Sequence, residues 1–233
     1  MRSRRKDAAK TPMSLLAAAS DVFADKGYRD ATIAEICERA GANIAAVNYH
    51  FGDKKSLYIE TWRHCYSESV KAHPPDGGVN EGAPPEERLR GLIKALLSRI
   101  TDEDNREFLI VQKERANPTG LLNEVMRREL RPQHDRMEIV VRELLGPGAS
   151  DMRVEFCGTS IISQCIDPIA AGRWNNGGRR IPDAPPAIND IEAYGDHIVE
   201  FSLAGIEAIR EDSERTRKAV KRRRRSRDAS KRE

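Results

Sequence analysis

Polar side chains that could contact a nucleic acid gather between residues 43 and 55. Asn48 carries an amide, which can pair with the edge of a base in a DNA groove. Tyr49 and His50 carry ring donors that can reach phosphate oxygens and fix position without reading sequence. These groups need a scaffold that presents them on one surface.

Residues 32–51 supply such a scaffold, because they read as two short helices joined by a tight turn. Thr32 and Glu35 have the spacing of a capping box at the start of the first helix. Gly41 stands where a left-handed C-cap is needed, and Asn43 can cap the second helix. This geometry inserts the second helix into a DNA major groove, although helix pairs of this kind also occur as plain structural units.

A further helix is predicted to begin at Lys54, with Asp53 as its cap. Its free N-terminal amides, together with Lys54 or Lys55, would form a phosphate clamp. The alternative is that both lysines are simply solvated. Their position at a helix start beside the reading helix favours contact. The apolar face predicted for this helix is Leu57, Tyr58, Thr61, Trp62 and Cys65.

A series of motifs lies in register between Ser14 and Tyr58. They are Phe23, Gly27-Tyr28, Thr32-Ile33, Ala40-Gly41, Asn48 to Gly52, Lys54 and Leu57-Tyr58. This run resembles the DNA-binding domain of TetR/AcrR-family transcriptional repressors, and its NYHFG form is similar to the CecR-like subgroup. The resemblance implies an all-α homodimer that binds a pseudo-palindromic operator in double-stranded DNA. It also implies that a small-molecule effector, bound in the C-terminal domain, releases the DNA.

Two positions depart from the commonest pattern of that family. Members often carry a basic residue where this chain has Ile44, and Thr or Ser where it has Ala46. Ile44 could touch a thymine methyl group or turn back toward Val47 and Phe51 in the core, and spacing does not separate these options. The predicted DNA-contacting residues are Thr32, Asn43, Ile44, Ala45, Ala46, Asn48, Tyr49, His50, Lys54 and Lys55.

The charge of the chain is unevenly distributed. Residues 1–10 hold five basic groups and one acidic group, and residues 213–233 hold eleven basic and three acidic groups. Because the whole chain has a net charge of +3, residues 11–212 carry −9. DNA repels an acidic body, so binding must come from the reading helix and the ends. Arg4 and Arg5 could follow a minor groove or belong to a solvated tail, and the basic C-terminus leaves the same two options.

The stretch from His73 to Pro85 is rich in Pro and Gly, which predicts a loop or hinge at a domain boundary. The predicted organisation is a disordered basic arm (1–10), a helix-turn-helix domain (11–66), a linker (67–84), an effector-binding and dimerisation domain (85–212) and a disordered basic tail (213–233).

Two late helices, predicted over Met152–Ala171 and Ile188–Arg210, carry more apolar surface than one fold should bury. In the TetR family two late helices from each subunit form a dimeric four-helix bundle, and these two occupy the matching place. The dimer interface predicted on them is Ile161, Cys165, Ile198, Phe201 and Ile206.

Catalytic and metal-binding patterns are missing from the sequence. The four cysteines form no C-x-x-C pair and the five histidines no H-x-x-x-H pair, so we predict buried reduced thiols, no metal, no cofactor and no enzyme activity. No run approaches the roughly 18–20 apolar residues of a membrane span, and we expect a cytoplasmic protein with no membrane partner. A rival hypothesis is a helical scaffold whose basic ends bind nucleic acid nonspecifically.

Overall fold

A computed structural model describes the backbone of residues 2–176 and 188–229 and the side chains of residues 12–170 and 188–218. Those residues form helices and no strand, so the predicted all-α class is confirmed. Contacts divide the chain into two units, the first comprising residues 1–74 and 98–131 and the second residues 75–97 and 132–233. The helices are α1 (Arg2–Asp30), α2 (Ile33–Ala40), α3 (Ile44–Phe51), α4 (Lys54–Ala72), α5 (Pro85–Thr101), α6 (Arg106–Ala116), α7 (Asn123–Leu145), α8 (Asp151–Asn176) and α9 (Ile191–Ala229).

The core of the first unit forms around α4, whose predicted apolar face is buried as expected. The Tyr58 ring meets the Phe23 ring edge-on at a centroid distance of 4.8 Å, and the Tyr28 centroid lies 5.1 Å away. The Trp62 ring stacks on Tyr66 with centroids 5.3 Å apart. Close aromatic pairs of this kind add to the free energy of burial, so α4 fixes the positions of the helices around it.

Residues 98–131 pack within the first unit, although the sequence assigns them to the C-terminal domain that is predicted to begin at residue 85. The Tyr58 hydroxyl donates to Glu114 Oε2 at 3.1 Å, and Glu114 Oε1 accepts from the backbone amides of Thr119 and Gly120, each at 2.8 Å. The Tyr66 hydroxyl donates to the Glu129 carbonyl at 2.8 Å. These long-range bonds satisfy buried polar groups of α4, and spacing along the sequence could not show them.

The two basic ends are helical over their described residues, whereas the sequence predicts disordered segments there. α1 begins at Arg2 and α9 continues to Ala229. Arg and Lys are good helix formers, and extending an existing helix avoids the cost of nucleating a new one. The side chains of Arg4 and Arg5 lie outside the described ones. Gly27 interrupts α1, because its φ of 75° and ψ of −179° leave helical geometry.

Two glycines of the second unit lie at contacts between its helices. Gly195 of α9 faces Leu97 of α5, and Gly158 of α8 faces Met137 of α7. Four residues of the predicted dimer interface are buried inside this unit. They are Ile161, Cys165, Ile198 and Ile206, each no more than 4% exposed. Because a second subunit cannot contact buried side chains, the prediction that these four form the dimer interface is corrected.

The predicted hinge after α4 is shorter than expected and is ordered where it enters the second unit. α4 continues to Ala72, so the linker does not begin at residue 67. The turn around Gly77, whose φ is 62°, lies directly on α5. A Cβ on Gly91 would sit 2.5 Å from the Asp76 carbonyl oxygen and 2.7 Å from Val79 Cγ2, so this contact requires glycine.

We expect Gly91→Ala to destabilise the second unit by about 1–3 kcal/mol, because the added methyl group meets backbone that cannot move aside freely. Gly158→Ala is the matched control, since its Cβ would meet only Met137 Cγ at an ordinary 3.7 Å. That helix-interior change should stabilise by about 0.5–1 kcal/mol. Urea unfolding of both variants and the wild type measures the difference. Equal effects of the two substitutions would contradict the described glycine contact.

Candidate nucleic-acid interface

The turn between α2 and α3 is built by the residues that the sequence indicated. The Thr32 hydroxyl accepts a bond from the Glu35 amide at 3.2 Å, which confirms the cap of α2. Gly41 has φ 62° and ψ 33°, the left-handed conformation predicted for it. The Gly41 amide donates to the Glu38 carbonyl at 3.2 Å, and the Ala42 amide donates to the Cys37 carbonyl at 2.9 Å. Together these bonds satisfy the last carbonyls of α2 and set the direction in which the chain enters α3.

The Glu35 side chain does not complete the predicted capping box. Its carboxylate accepts from Lys26 Nζ at 2.8 Å and from Arg39 Nη2 at 2.9 Å instead. The hydrogen bond and positive charge of Lys26, with a smaller contribution from Arg39, hold the pKa of Glu35 below its usual value. Glu35 therefore joins α2 to α1.

The inner and outer faces of α3 are clearly separated. Val47 is buried in the core, and Phe51 packs against that core while remaining half-buried. On the opposite side the side chains of Ala45 and Asn48 are exposed, Ile44 is 54% exposed and Tyr49 is 84% exposed. Ile44 therefore points outward, which answers the question that its spacing left open.

Three predicted contact residues have their main contacts within the fold. Asn43 Oδ1 accepts from the Ala46 amide at 2.9 Å, so Asn43 is the predicted cap of α3. Ala46 is partly buried against the core and is not part of the outward face. The hydroxyl of Thr32 is likewise engaged as a cap. These residues orient the outward face, and the predicted DNA contact of Ala46 remains a prediction.

The start of α4 is less open to phosphate than expected. Asp53 Oδ1 accepts from the Ser56 amide at 2.7 Å, and this backbone hydrogen bond is the main reason that the pKa of Asp53 is lowered. Lys54 Nζ lies 4.6 Å from the Tyr28 ring centroid and 3.4 Å from the Arg29 carbonyl oxygen, and burial lowers the pKa of its ammonium group. Lys54 is thus held by the fold. The exposed Lys55 remains as the lysine of the predicted clamp.

Tyr28, the partner of Lys54, is the residue of this site that the sequence did not predict. In the sequence Tyr28 is only one of the motif residues, and nothing in the local pattern links it to a lysine 26 positions later. A cation above a ring is favourable, particularly where both groups are partly buried.

The ring of His50 lies near the rings of both its neighbours in sequence, with its centroid 4.9 Å from that of Tyr49 and 6.3 Å from that of Phe51.

Groups suited to metal or thiol chemistry are accounted for within the described part of the chain. No cluster of three or more His, Cys, Asp or Glu residues there could hold a metal ion. The four cysteines are free and buried, as predicted, and burial raises the pKa of Cys65 and Cys165 to about 12 each. Such thiols are protonated and unreactive at neutral pH. Among the described residues, no helix is long and apolar enough to span a membrane.

A capped helix-turn-helix with an exposed second helix defines a DNA-binding protein of the helix-turn-helix class. The profile of the bacterial regulatory proteins of the tetR family matches residues 15–61. The profile of the C-terminal domain of the HTH-type transcriptional dual regulator CecR matches residues 85–206, more than half of the chain. The chain therefore belongs to the TetR family of transcriptional regulators and is of the CecR-like type.

Individual relatives agree with this assignment. The HTH-type transcriptional activator FasR of Mycolicibacterium smegmatis is 30% identical over 199 residues, which cover 84% of this chain and 82% of FasR. The HTH-type transcriptional dual regulator CecR of Shigella flexneri is 28% identical over 162 residues, 65% of this chain and 72% of CecR.

Solved structures share the fold. A transcriptional regulator from Rhodococcus sp. Rha1 superposes with a TM-score of 0.59 at 25% identity, covering 84% of this chain and 95% of the other. FadR from Bacillus subtilis, solved in complex with stearoyl-CoA, superposes with a TM-score of 0.64 at 17% identity, covering 83% and 98%.

We expect Gly41→Ala to cost about 1–2 kcal/mol of stability, because alanine resists the left-handed conformation. No heavy atom lies within 4 Å of the position of an added Cβ, so the cost comes from the backbone alone. Gly41→Asn is the matched control, since asparagine tolerates this region better although its side chain is larger. Thermal unfolding should rank wild type above Asn above Ala. If Asn is the worse of the two, steric crowding and not φ governs the turn.

Proposed function

We propose that the chain is a homodimeric transcriptional repressor that binds a pseudo-palindromic DNA operator in the cytoplasm and acts without enzyme activity. The observation that carries this proposal is the outward face of α3, formed by Ile44, Ala45, Asn48 and Tyr49. This face follows directly after a complete turn and stands opposite the buried Val47. A helix held in this way can enter a major groove without unfolding any part of the core.

The chemistry of this face suggests how bases would be read. The Asn48 amide can donate to and accept from an adenine edge, and the side chains of Ile44 and Ala45 can contact thymine methyl groups. The Tyr49 hydroxyl and the Lys55 ammonium group can bind phosphate oxygens and fix the register. Because α3 itself carries no Arg or Lys, we propose an operator read mainly through A·T pairs and methyl groups.

We propose that a second copy of the chain covers the exposed apolar face of α8 and α9. Phe156 on α8 is 61% exposed and Phe201 on α9 is 63% exposed, and Met152 is also exposed. Small residues beside Phe201, including the exposed Gly205, would let a partner helix approach closely. Of the interface residues predicted from the sequence, Phe201 is the one that this proposal keeps. Binding of such a dimer to both half-sites of an operator requires the two reading helices to lie about 34 Å apart, one turn of DNA.

We propose that a small-molecule effector binds the second unit and releases the DNA. A cavity of about 250 Å³ lies there between the loop at Asp76–Glu81, α5 and α7. Its walls combine aliphatic side chains such as Leu92 and Val140 with the guanidinium groups of Arg88 and Arg136. This volume is at the lower end for a ligand site, so a bulky ligand such as the stearoyl-CoA of FadR would require it to open. An effector can shift the equilibrium toward the DNA-free state only by the difference between its binding free energies in the DNA-free and DNA-bound states.

Activation of transcription is the second candidate, because the relative that is 30% identical over most of this chain is named an activator. Repression and activation use the same DNA-binding face, and their effects on expression differ in sign. A reporter gene placed behind the bound site separates them: rising expression on deletion of the regulator supports repression, and falling expression supports activation. A scaffold that binds nucleic acid nonspecifically remains the rival from another class, and it should show no preferred site at any salt concentration.

Asn48→Ala and Lys55→Ala should separate base contacts from phosphate contacts. We expect Asn48→Ala to lose about 1–3 kcal/mol of preference at one or two base pairs, because the amide no longer meets a base edge. Lys55→Ala should weaken binding to operator and random duplexes alike and reduce the salt slope by about one unit. Competition titrations against single-base operator variants check both. An unchanged base preference in Asn48→Ala would show that Asn48 does not read sequence.

Phe201→Asp should abolish the dimer. An unpaired carboxylate in a covered apolar interface costs several kcal/mol, roughly 2–7 for a polar group without a partner and more for a charge. The first unit has its own core and should stay folded, so specific affinity should fall by orders of magnitude through loss of the second half-site. Met13→Asp is the control, since Met13 is also an exposed apolar side chain but lies in the first unit. Sedimentation analysis beside operator titration gives the result. A monomeric wild type at micromolar concentration, or a dimeric Phe201→Asp, would refute this interface.

A further inference from the structure

The last part of α9 carries an unusually dense series of positive charges on a helical backbone. Nine of the thirteen residues from Arg215 to Arg227 are Arg or Lys, and none is acidic. The helix is continuous to Ala229. At a rise of 1.5 Å per residue these charges occupy about 18 Å, one for roughly every 2 Å. Duplex DNA carries one phosphate charge for about every 1.7 Å of its axis, so the two charge densities are closely matched.

This helix is fixed to the second unit just before and at the start of the charged stretch. Arg153 donates to the Ile209 carbonyl at 3.0 Å and forms an ion pair with Asp212 at 3.1 Å. Arg217 donates to the Pro147 carbonyl, in the turn that follows α7. The charged stretch thus continues from an anchored helix and does not start as a free chain, which lowers the entropy lost when it binds a partner.

The composition of this stretch favours a polyanion over a membrane surface. Between Glu211 and Ala229 the apolar residues are Ala219, Val220 and Ala229, so no apolar face could insert among lipids. Basic residues also recur four positions apart, as in Arg217 with Lys221 and Lys221 with Arg225. Like charges at this spacing repel each other and destabilise a helix, and a polyanion lying along the helix removes that repulsion.

We propose that residues 215–227 form a second, sequence-independent DNA contact that binds the phosphate backbone of duplex DNA. This inference rests on the proposed DNA binding of the chain. Residues 11–212 carry a net charge of −9 and repel DNA, and the end of α9 supplies an attraction of similar size. The face of α3 selects the site, and the charged stretch adds affinity for any duplex by releasing counterions.

The test compares two full-length variants that each remove four positive charges. The first replaces Arg222, Arg223, Arg224 and Arg225 with Gln. The control replaces Lys71, Lys113, Arg127 and Arg128 with Gln, all exposed and outside the proposed contacts. A third variant, with Lys at positions 222–225, keeps the charge and checks that folding is intact.

Binding is measured to a random-sequence duplex and to a selected operator over a range of salt concentrations. We expect the first variant to lose up to about 3.6 units of salt slope, 0.9 for each phosphate contact, and about ten-fold or more in affinity for both duplexes. The preference for operator over random DNA should not change, and the Lys variant should behave as wild type. A salt slope equal to that of the control variant would overturn the proposal.

Two further outcomes keep this inference separate from the proposed function. If the wild type shows no operator preference, the proposed function fails, while the random-duplex measurements still test the charged stretch. If operator preference is present but the first variant binds both duplexes as the control does, only this inference fails. Binding of the wild type to vesicles of phosphatidylserine and phosphatidylcholine, lost in the first variant without any change in DNA binding, would also overturn it.

Discussion

Burial of the Tyr58 ring is the constraint on which the DNA-binding part of the molecule depends. The ring is fully enclosed beside Phe23 and Tyr28, so its hydroxyl needs a partner inside the protein. Glu114 provides that partner, and burial beside this carboxylate raises the pKa of Tyr58, which keeps the hydroxyl protonated and able to donate. One buried ring therefore ties α4 to α1 and, through Glu114, to α6, and this explains why residues 98–131 belong to the first unit.

The outward face of α3 follows from the same core. Val47 packs with Tyr58 in one apolar cluster, and a helix that buries one side must expose the other. That exposed side presents methyl groups, an amide and a phenol, and α3 carries no Arg or Lys. Coulombic attraction to DNA must then come from elsewhere in the chain. We propose that selection of a sequence and attraction to the duplex belong to different elements, which is consistent with an acidic body between two basic ends.

Local patterns predicted those features that arise from interactions within a few residues. The caps at Thr32, Asn43 and Asp53 and the left-handed Gly41 are of this kind, because each satisfies backbone groups of its own helix end. Features set by long-range packing were not predictable. The position of Lys54 over Tyr28 depends on how two helices meet, and the burial of Ile161 or Ile198 depends on which face of each helix its neighbours cover. An apolar residue on a helix looks the same in sequence whether its own unit or a second subunit covers it.

The central claim is that the outward face of α3 selects a DNA sequence. The most direct test is repeated selection of binding sites from a random pool of duplexes. It is carried out in parallel with wild type and Ile44→Ser. The wild type should enrich a pseudo-palindrome whose half-sites lie about one helical turn apart. Ile44→Ser should enrich a site that differs at a position occupied by thymine, because the contact with its methyl group is lost. A wild type that enriches no sequence, or two proteins that enrich the same site with the same preference at every position, would contradict the claim.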